Sequence, residues 1–200
     1  MKLEIIDAGE IGGRAYISPE DMKGLRVDDF DVVVFTNEYD DWGAAQVIAK
    51  EDCMQGYIMI DSMTLDSANM ASGDTVDVKR NEPKGGIYEV QIGVEPMGSQ
   101  ATEKVVIWVA DHASEMSELL KNRPIFRNLE VNWRDAEIGH VKLKVVQTKP
   151  PIQPGETAII DPAGQEITYE IIHAVDMSFN AILLIDVSGS MLKEDMVVSE

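Results

Sequence analysis

Basic residues are scarce in this chain. Its 200 residues include 17 Lys and Arg against 36 Asp and Glu, a formal net charge of −19. Recognition of a phosphate backbone relies on clustered cationic surface, so this balance argues against nucleic acid and against an anionic membrane. Cysteine is nearly absent. Cys53 stands alone, which excludes an intramolecular disulfide and a cysteine-based metal cluster and fits a reducing compartment. No apolar run approaches the roughly 20 residues that a membrane helix needs. The opening residues, MKLEIID, lack the apolar stretch of a secretory signal. The expectation is a cytoplasmic protein. No phosphate-cradling G-x-x-x-x-G-K-[ST] occurs, and no nucleophile elbow. What remains is ordinary in bulk: 44% hydrophobic and 26% charged residues, which excludes a largely disordered chain. The length suits one to two domains.

An internal repeat organises the first eighty residues. Residues 17–35 read ISPEDMKGLRVDDFDVVVF and residues 60–78 read IDSMTLDSANMASGDTVDV. An offset of 43 sets Ile17 over Ile60, Ser18 over Asp61, Met22 over Leu65, Asp31 over Asp74 and Val33 over Val76 without a gap. Each copy follows one grammar. A strand rich in β-formers comes first, at residues 14–17 or 56–60. Ser18 or Asp61 then supplies an oxygen able to cap a helix, and Pro19 with Glu20 and Asp21 marks the first helix start strongly. A short helix, a polar turn and a second strand (31–35 or 75–79) complete the unit. Such a unit cannot bury its apolar face alone. Two copies interleaved about a pseudo-twofold would close a small barrel and remove exposed strand edges.

These residues resemble a known family. ISPEDMKGL…DDFDVVVF, the strand around Gly43-Ala44-Ala45-Gln46-Val47 and GYIMIDSMTLDSANMASGDTVDVKR look like the double-psi β-barrel that opens the N-domains of valosin-containing protein and its archaeal relative VAT. The most specific piece is Ile58-Met59-Ile60-Asp61 followed, after Gly73, by Asp74-Thr75-Val76-Asp77-Val78. In place of the Arg that commonly follows the Ala-Ala pair in that family, Gln46 stands here. The resemblance implies a barrel over residues 1–82.

Beyond the breaker-rich stretch Asn81-Glu82-Pro83-Lys84-Gly85-Gly86, residues 87–92 alternate with period two, as a half-buried strand does. The apolar run 105–109 (VVIWV) reads as a more buried strand. Asp111 is placed to cap a helix over 114–122, with Met116, Leu119 and Leu120 at three- and four-residue spacing, stopped by Pro124. Residues 129–133, 141–146 and 166–172 read as strands. The fold class is therefore mainly β with short helices, an α+β chain. LLKNRPIFRNLEVNW and VKLKVVQTKPPIQPGETAII look like the second half of the same N-domain, a small open β-barrel called a clam, over residues 83–176. In that family the ligand passes through the groove between barrel and clam.

The last segment changes character. Residues 181–185 (AILLI) are apolar on both faces, as a buried parallel strand is. They run into Asp186-Val187-Ser188-Gly189-Ser190-Met191. A carboxylate and two hydroxyls at alternating positions suit a hard cation such as Mg²⁺. The segment resembles the first strand and metal-ion-dependent adhesion motif of von Willebrand factor A domains, which implies Asp186, Ser188 and Ser190 as the first group of metal ligands. The family also needs a Thr and an Asp further downstream. Residues 177–200 are thus expected to be the beginning of an incomplete third domain. Its site would be incomplete here, and Mg²⁺ would belong to the full domain only.

Other candidates for chemistry are weaker. His112, His140 and His173 are scattered, with surface or structural settings. Acidic neighbours Glu51 and Asp52 disfavour an activated Cys53 thiolate. Asp28-Asp29 and Asp40-Asp41 read as solvated turns, and Trp42, Trp108 and Trp133 as core or groove-lining residues. No catalytic residue and no cofactor-binding residue is assigned. The expected function is non-enzymatic binding of partner or substrate polypeptides, including unfolded ones, in the manner of an adaptor or co-chaperone. The alternatives are a double-psi-barrel enzyme, or a scaffold working beside an AAA+ ATPase in a chelatase-like assembly.

Overall fold

A computed structural model describes residues 1–121, 123–160 and 167–174. The amino-terminal part is β1 (Lys2–Asp7), β2 (Arg14–Ile17), α1 (Pro19–Leu25), β3 (Val32–Thr36), β4 (Trp42–Ala49), β5 (Tyr57–Ile60), α2 (Ser62–Ser67) and β6 (Thr75–Asn81). The six strands close into a barrel in the order β1-β5-β2-β4-β3-β6.

The repeat is visible in the ladder itself. Across β1 and β5, Glu4 faces Tyr57 and Ile5 faces Ile58; across β4 and β2, Gln46 faces Arg14 and Val47 faces Ala15. The β2–β5 pairs Ala15 with Ile60 and Ile17 with Ile58 exchange under the 43-residue offset, and so do the β3–β6 pairs Val34 with Lys79 and Thr36 with Asp77. Strands β1 and β4 relate by 42, because residues 8–13 connect β1 to β2 whereas 50–56, one residue longer, connect β4 to β5. Backbone bonds outside the ladder obey the same symmetry. Phe30 N–H donates to Val47 O at 2.7 Å, and Gly73 N–H to Ile5 O at 2.9 Å.

Alternation puts Leu3, Ile5, Ala15, Ile17, Phe35, Val47, Ile58, Ile60, Val76 and Val78 inside the barrel. The helix caps stand where the sequence puts them. Ser18 Oγ accepts from Asp21 N–H at 3.1 Å, and Asp61 Oδ2 from Thr64 N–H at 3.2 Å.

The second unit is a four-stranded sheet, β12-β7-β10-β9, with a two-stranded ribbon β11-β8. Its elements are β7 (Glu89–Pro96), α3 (Thr102–Asp111), α4 (Ala113–Leu120), β8 (Pro124–Ile125), β9 (Glu130–Asp135), β10 (Gly139–Lys149), β11 (Ala158–Ile159) and β12 (Thr168–His173). Strands β7, β10 and β9 are antiparallel, and β12 joins β7 in parallel. Two expectations need correction. The run 105–109 is not a strand but the middle of α3: only Val105 and Val109, one helical turn apart, are buried, and Ile107 is 63% exposed. Five apolar residues in a row cannot distinguish the two periods; Thr102, Glu103 and Lys104 before them continue a helix. Asp111 likewise ends α3 rather than capping the next helix, and the junction residue His112 makes no side-chain cap bond.

The second core packs α3 and α4 on the sheet through Val105, Val109, Met116, Leu120, Val131, Trp133, Leu143 and Val145. It also takes in Val32 and Ala44 from the outside of the barrel, with Val34 and Trp42 packed against it. No helix among the described residues is long and apolar enough to cross a membrane.

Candidate functional site

The outward face of β3 and β4 decides where the second unit sits. Val32, Val34 and Ala44 point away from the barrel core, and the Trp42 ring lies 5.3 Å from Phe126 at a 49° tilt. Polar bonds fix the seam around this contact. Ser67 Oγ at the end of α2 accepts from Glu130 N–H at 2.8 Å. Asn81 Nδ2 donates to Gly155 O at 3.2 Å, and its Oδ1 accepts from Thr157 Oγ1 at 2.7 Å. Lys84 pairs with Glu156 at 2.6 Å. Arg123 lies over the 12–13 turn, so close that a Cβ on Gly13 (φ +76°) would come within 3.1 Å of its Cγ. A side chain there would be strained and would have to push Arg123 aside. Burial of that guanidinium pushes its pKa down, and the nearby Asp61 carboxylate opposes the shift.

Beside this seam a cleft opens between α2 and the β9–β10 strands. Asp66, Asn69, Met70, Ala71 and Asp74 line it from the barrel, Glu130 and Lys142 from the sheet, around about 440 Å³. Glu130 receives Lys142 at 3.0 Å and Lys144 at 3.4 Å. The hydrogen bond to Glu130 raises the Lys142 pKa, reinforced by the charges of Glu95 and Asp66. Asn69 Nδ2 donates to Asp41 Oδ2 at 3.3 Å, bringing one more carboxylate to the rim. Met70 is a buried apolar residue on the wall. Carboxylates outnumber cations, so the cleft suits a ligand that brings an ammonium or guanidinium group.

The polar connections of α2 explain why the cleft forms at this place. Asp61 is fully buried, and its second oxygen accepts from Ile11 N–H at 2.7 Å. The cap thereby ties α2 to the β1–β2 connection, and α2 presents Ser67 and Met63 to β9. Asn132 Nδ2 reaches Met63 Sδ at 2.9 Å.

The sequence-derived candidates fall apart in space. His112 sits between α3 and α4, stacked on Trp108 with ring centroids 3.7 Å apart. His140 lies on β10 with Nε2 buried and unpartnered among the described residues, and His173 ends β12. Cys53 is buried and its thiol pKa is raised, chiefly by burial and then by the charge of Asp21, with Asp52 adding. Asp186, Ser188 and Ser190 lie outside the described residues. Among the described residues no group of three or more His, Cys, Asp or Glu is arranged to hold a metal. Trp42 is the one earlier candidate at the seam itself. The cleft residues Asp66, Asp74, Glu130 and Lys142 were missed, since nothing local in sequence joins residues on α2 to residues on β9 and β10. No protein-family model matches the chain, and no curated protein sequence matches it.

Proposed function

We propose that this chain is a non-enzymatic polypeptide-binding module that holds a segment of a partner or substrate protein at the boundary of its two units. The observation that carries the reading is the cleft lined from both sides, by Asp66 and Asp74 on the barrel and by Glu130 and Lys142 on the sheet. Its acidic walls select a segment bearing Lys or Arg. Resemblance to the N-domains of valosin-containing protein and VAT supports the same reading at the level of fold: a double-psi barrel over residues 1–82, and a clam-like unit over 83–176. By that analogy the module acts as an adaptor or co-chaperone in the cytoplasm. It would precede a von Willebrand A domain to which Asp186, Ser188 and Ser190 contribute Mg²⁺ ligands, and it would work beside an AAA+ ATPase.

The test is titration of the chain with an unfolded protein and with short peptides containing Arg-apolar and Glu-apolar pairs. Arg-bearing peptides should bind, and charge reversal on the barrel wall (Asp66→Lys, Asp74→Lys) should weaken them by about tenfold or more. Affinity unchanged by these substitutions overturns the assignment.

A further inference from the structure

The barrel's two halves give an internal control for what its outward positions should be. Where the second unit covers them, they are apolar: Val32, Val34 and Ala44. Where their symmetry mates face solvent, they are polar: Thr75, Asp77 and Lys2. One outward row breaks this rule. Ile6 faces Met59 across β1–β5, Met59 faces Tyr16 across β5–β2, and Tyr16 faces Ile48 across β2–β4. All four are partly exposed, and none belongs to or packs against either core. The Tyr16–Met59 pair lies on the pseudo-twofold axis, so both halves keep the row apolar.

Phe30 extends the row. Its N–H donates to Val47 O at 2.7 Å, next to Ile48. It is 58% exposed and holds φ at +72°, a conformation that its mate Gly73 (φ +95°) adopts without cost. Folding alone favours glycine at both places. A strained, exposed phenylalanine at the end of a partly exposed apolar row has the character of an interface anchor.

From these observations we infer that the row Ile6–Met59–Tyr16–Ile48–Phe30 docks an amphipathic helix of a partner protein, one that carries Lys or Arg along the edges of its apolar face. Four inter-strand steps make the row on the order of 19 Å long, the length of about 13 helical residues. The charge of the occupant follows from the rim. Glu4 precedes Ile6 on the same face, Asp29 binds the amide of Ala49 at 2.7 Å, and Glu51 and Asp52 follow β4. Two cations stand beside the row: Arg14, which precedes Tyr16 on the same face of β2, and Lys50, which is occupied by Asp52 at 3.6 Å and by the Tyr16 ring at 5.1 Å. A second copy of this chain, with the same acidic rim, would meet like charge. This surface and the cleft at the seam are separate sites, and neither reading rests on the other.

The probe is a synthetic amphipathic helix of about 18 residues with Leu on one face and Lys on its flanks, beside a counterpart with Glu for every Lys. Titrated into the full chain, the Lys peptide should shift the methyl resonances of Ile6, Ile48 and Met59, and the Glu peptide should not. Phe30→Gly should weaken the Lys peptide by about tenfold while holding or raising the Tm, and Met59→Gln should weaken it less. Glu130→Gln, on the sheet side of the cleft, should leave the shifts of those three methyl groups unchanged. Equal binding of both peptides, unchanged affinity in Phe30→Gly, or shifts confined to cleft residues each overturns the proposal. So does self-association of the chain through this row, which would make a second copy the occupant.

Discussion

The two halves of the barrel share a backbone and differ in what they do with its outside. In the first half the outward residues of β3, Val32 and Val34, together with Ala44 and Trp42 on β4, pack against the core of the second unit. At the equivalent places Thr75, Asp77 and Lys2 face solvent, and Asp77 instead binds the amino terminus at 2.9 Å and Lys79 at 3.0 Å. The strand residues of both halves that fill the barrel are apolar, because both build one core. Symmetry is therefore kept where packing requires it and abandoned where only one side has a partner. A few outward apolar positions thus distinguish the covered side of a symmetric barrel from its mate.

Exchanging residues between mates breaks this comparison most severely. Ala44→Lys, which copies Lys2, puts an unpaired ammonium into a fully buried site, and should cost about 3–5 kcal/mol. The reverse change, Lys2→Ala, is expected to fall within about 0.5 kcal/mol of the parent. Urea unfolding followed by Trp fluorescence reads both, since Trp42 sits at the seam. Equal effects would mean that the second unit does not depend on this face.

The helix caps come next in size. Asp61→Ala removes a buried carboxylate that serves both Thr64 N–H and Ile11 N–H, and about 2–3 kcal/mol should be lost. Ser18→Ala removes only the cap to Asp21 N–H and its side-chain bond to Asp21, at 2.9 Å, so about 1 kcal/mol is expected. Circular dichroism melts of the two variants decide the order.

How much of this was legible in the sequence follows from the same contrast. The repeat, its two caps and the closed barrel were readable, because Ser18 with Pro19, Asp61 and the alternating strands are local signals within one copy. The docking face was not. Val32 and Val34 look like any strand residues, and only comparison with Thr75 and Asp77 in three dimensions separates covered from exposed. The α3 helix was misread for a related reason: VVIWV carries β-forming residues, and the burial of Val105 and Val109 alone shows the period. The cleft was invisible because residues 66–74 meet residues 130 and 142 only after the units pack.

The left-handed turn after each helix offers a finer test. Arg26 holds φ at 58° and its mate Asn69 at 54°. Asparagine tolerates this conformation better than arginine, and glycine tolerates it best. Arg26→Gly should therefore raise stability by about 0.5–1 kcal/mol, and Asn69→Gly by less, since Asn69 also loses its bond to Asp41.

The smallest effect separates the halves by pH. Hydrogen bonds from the amino terminus and then from Lys79 hold the Asp77 carboxyl below its ordinary value of 3.8, whereas its mate Val34 carries no titrating group. A depressed carboxyl stabilises the fold at pH values above the unfolded pKa, and the contribution is lost as pH falls through the lower folded value. Wild type should thus exceed Asp77→Asn by a small, constant margin at neutral pH, with the gap closing below pH 3.8. Raising salt should narrow the margin as well, because the pair is exposed to solvent. Acetylation of the amino terminus should reproduce most of the loss without touching Asp77, since the terminal ammonium is the larger of its two partners. If acetylation leaves the margin intact, the lysine rather than the chain end holds this edge of the second half in place.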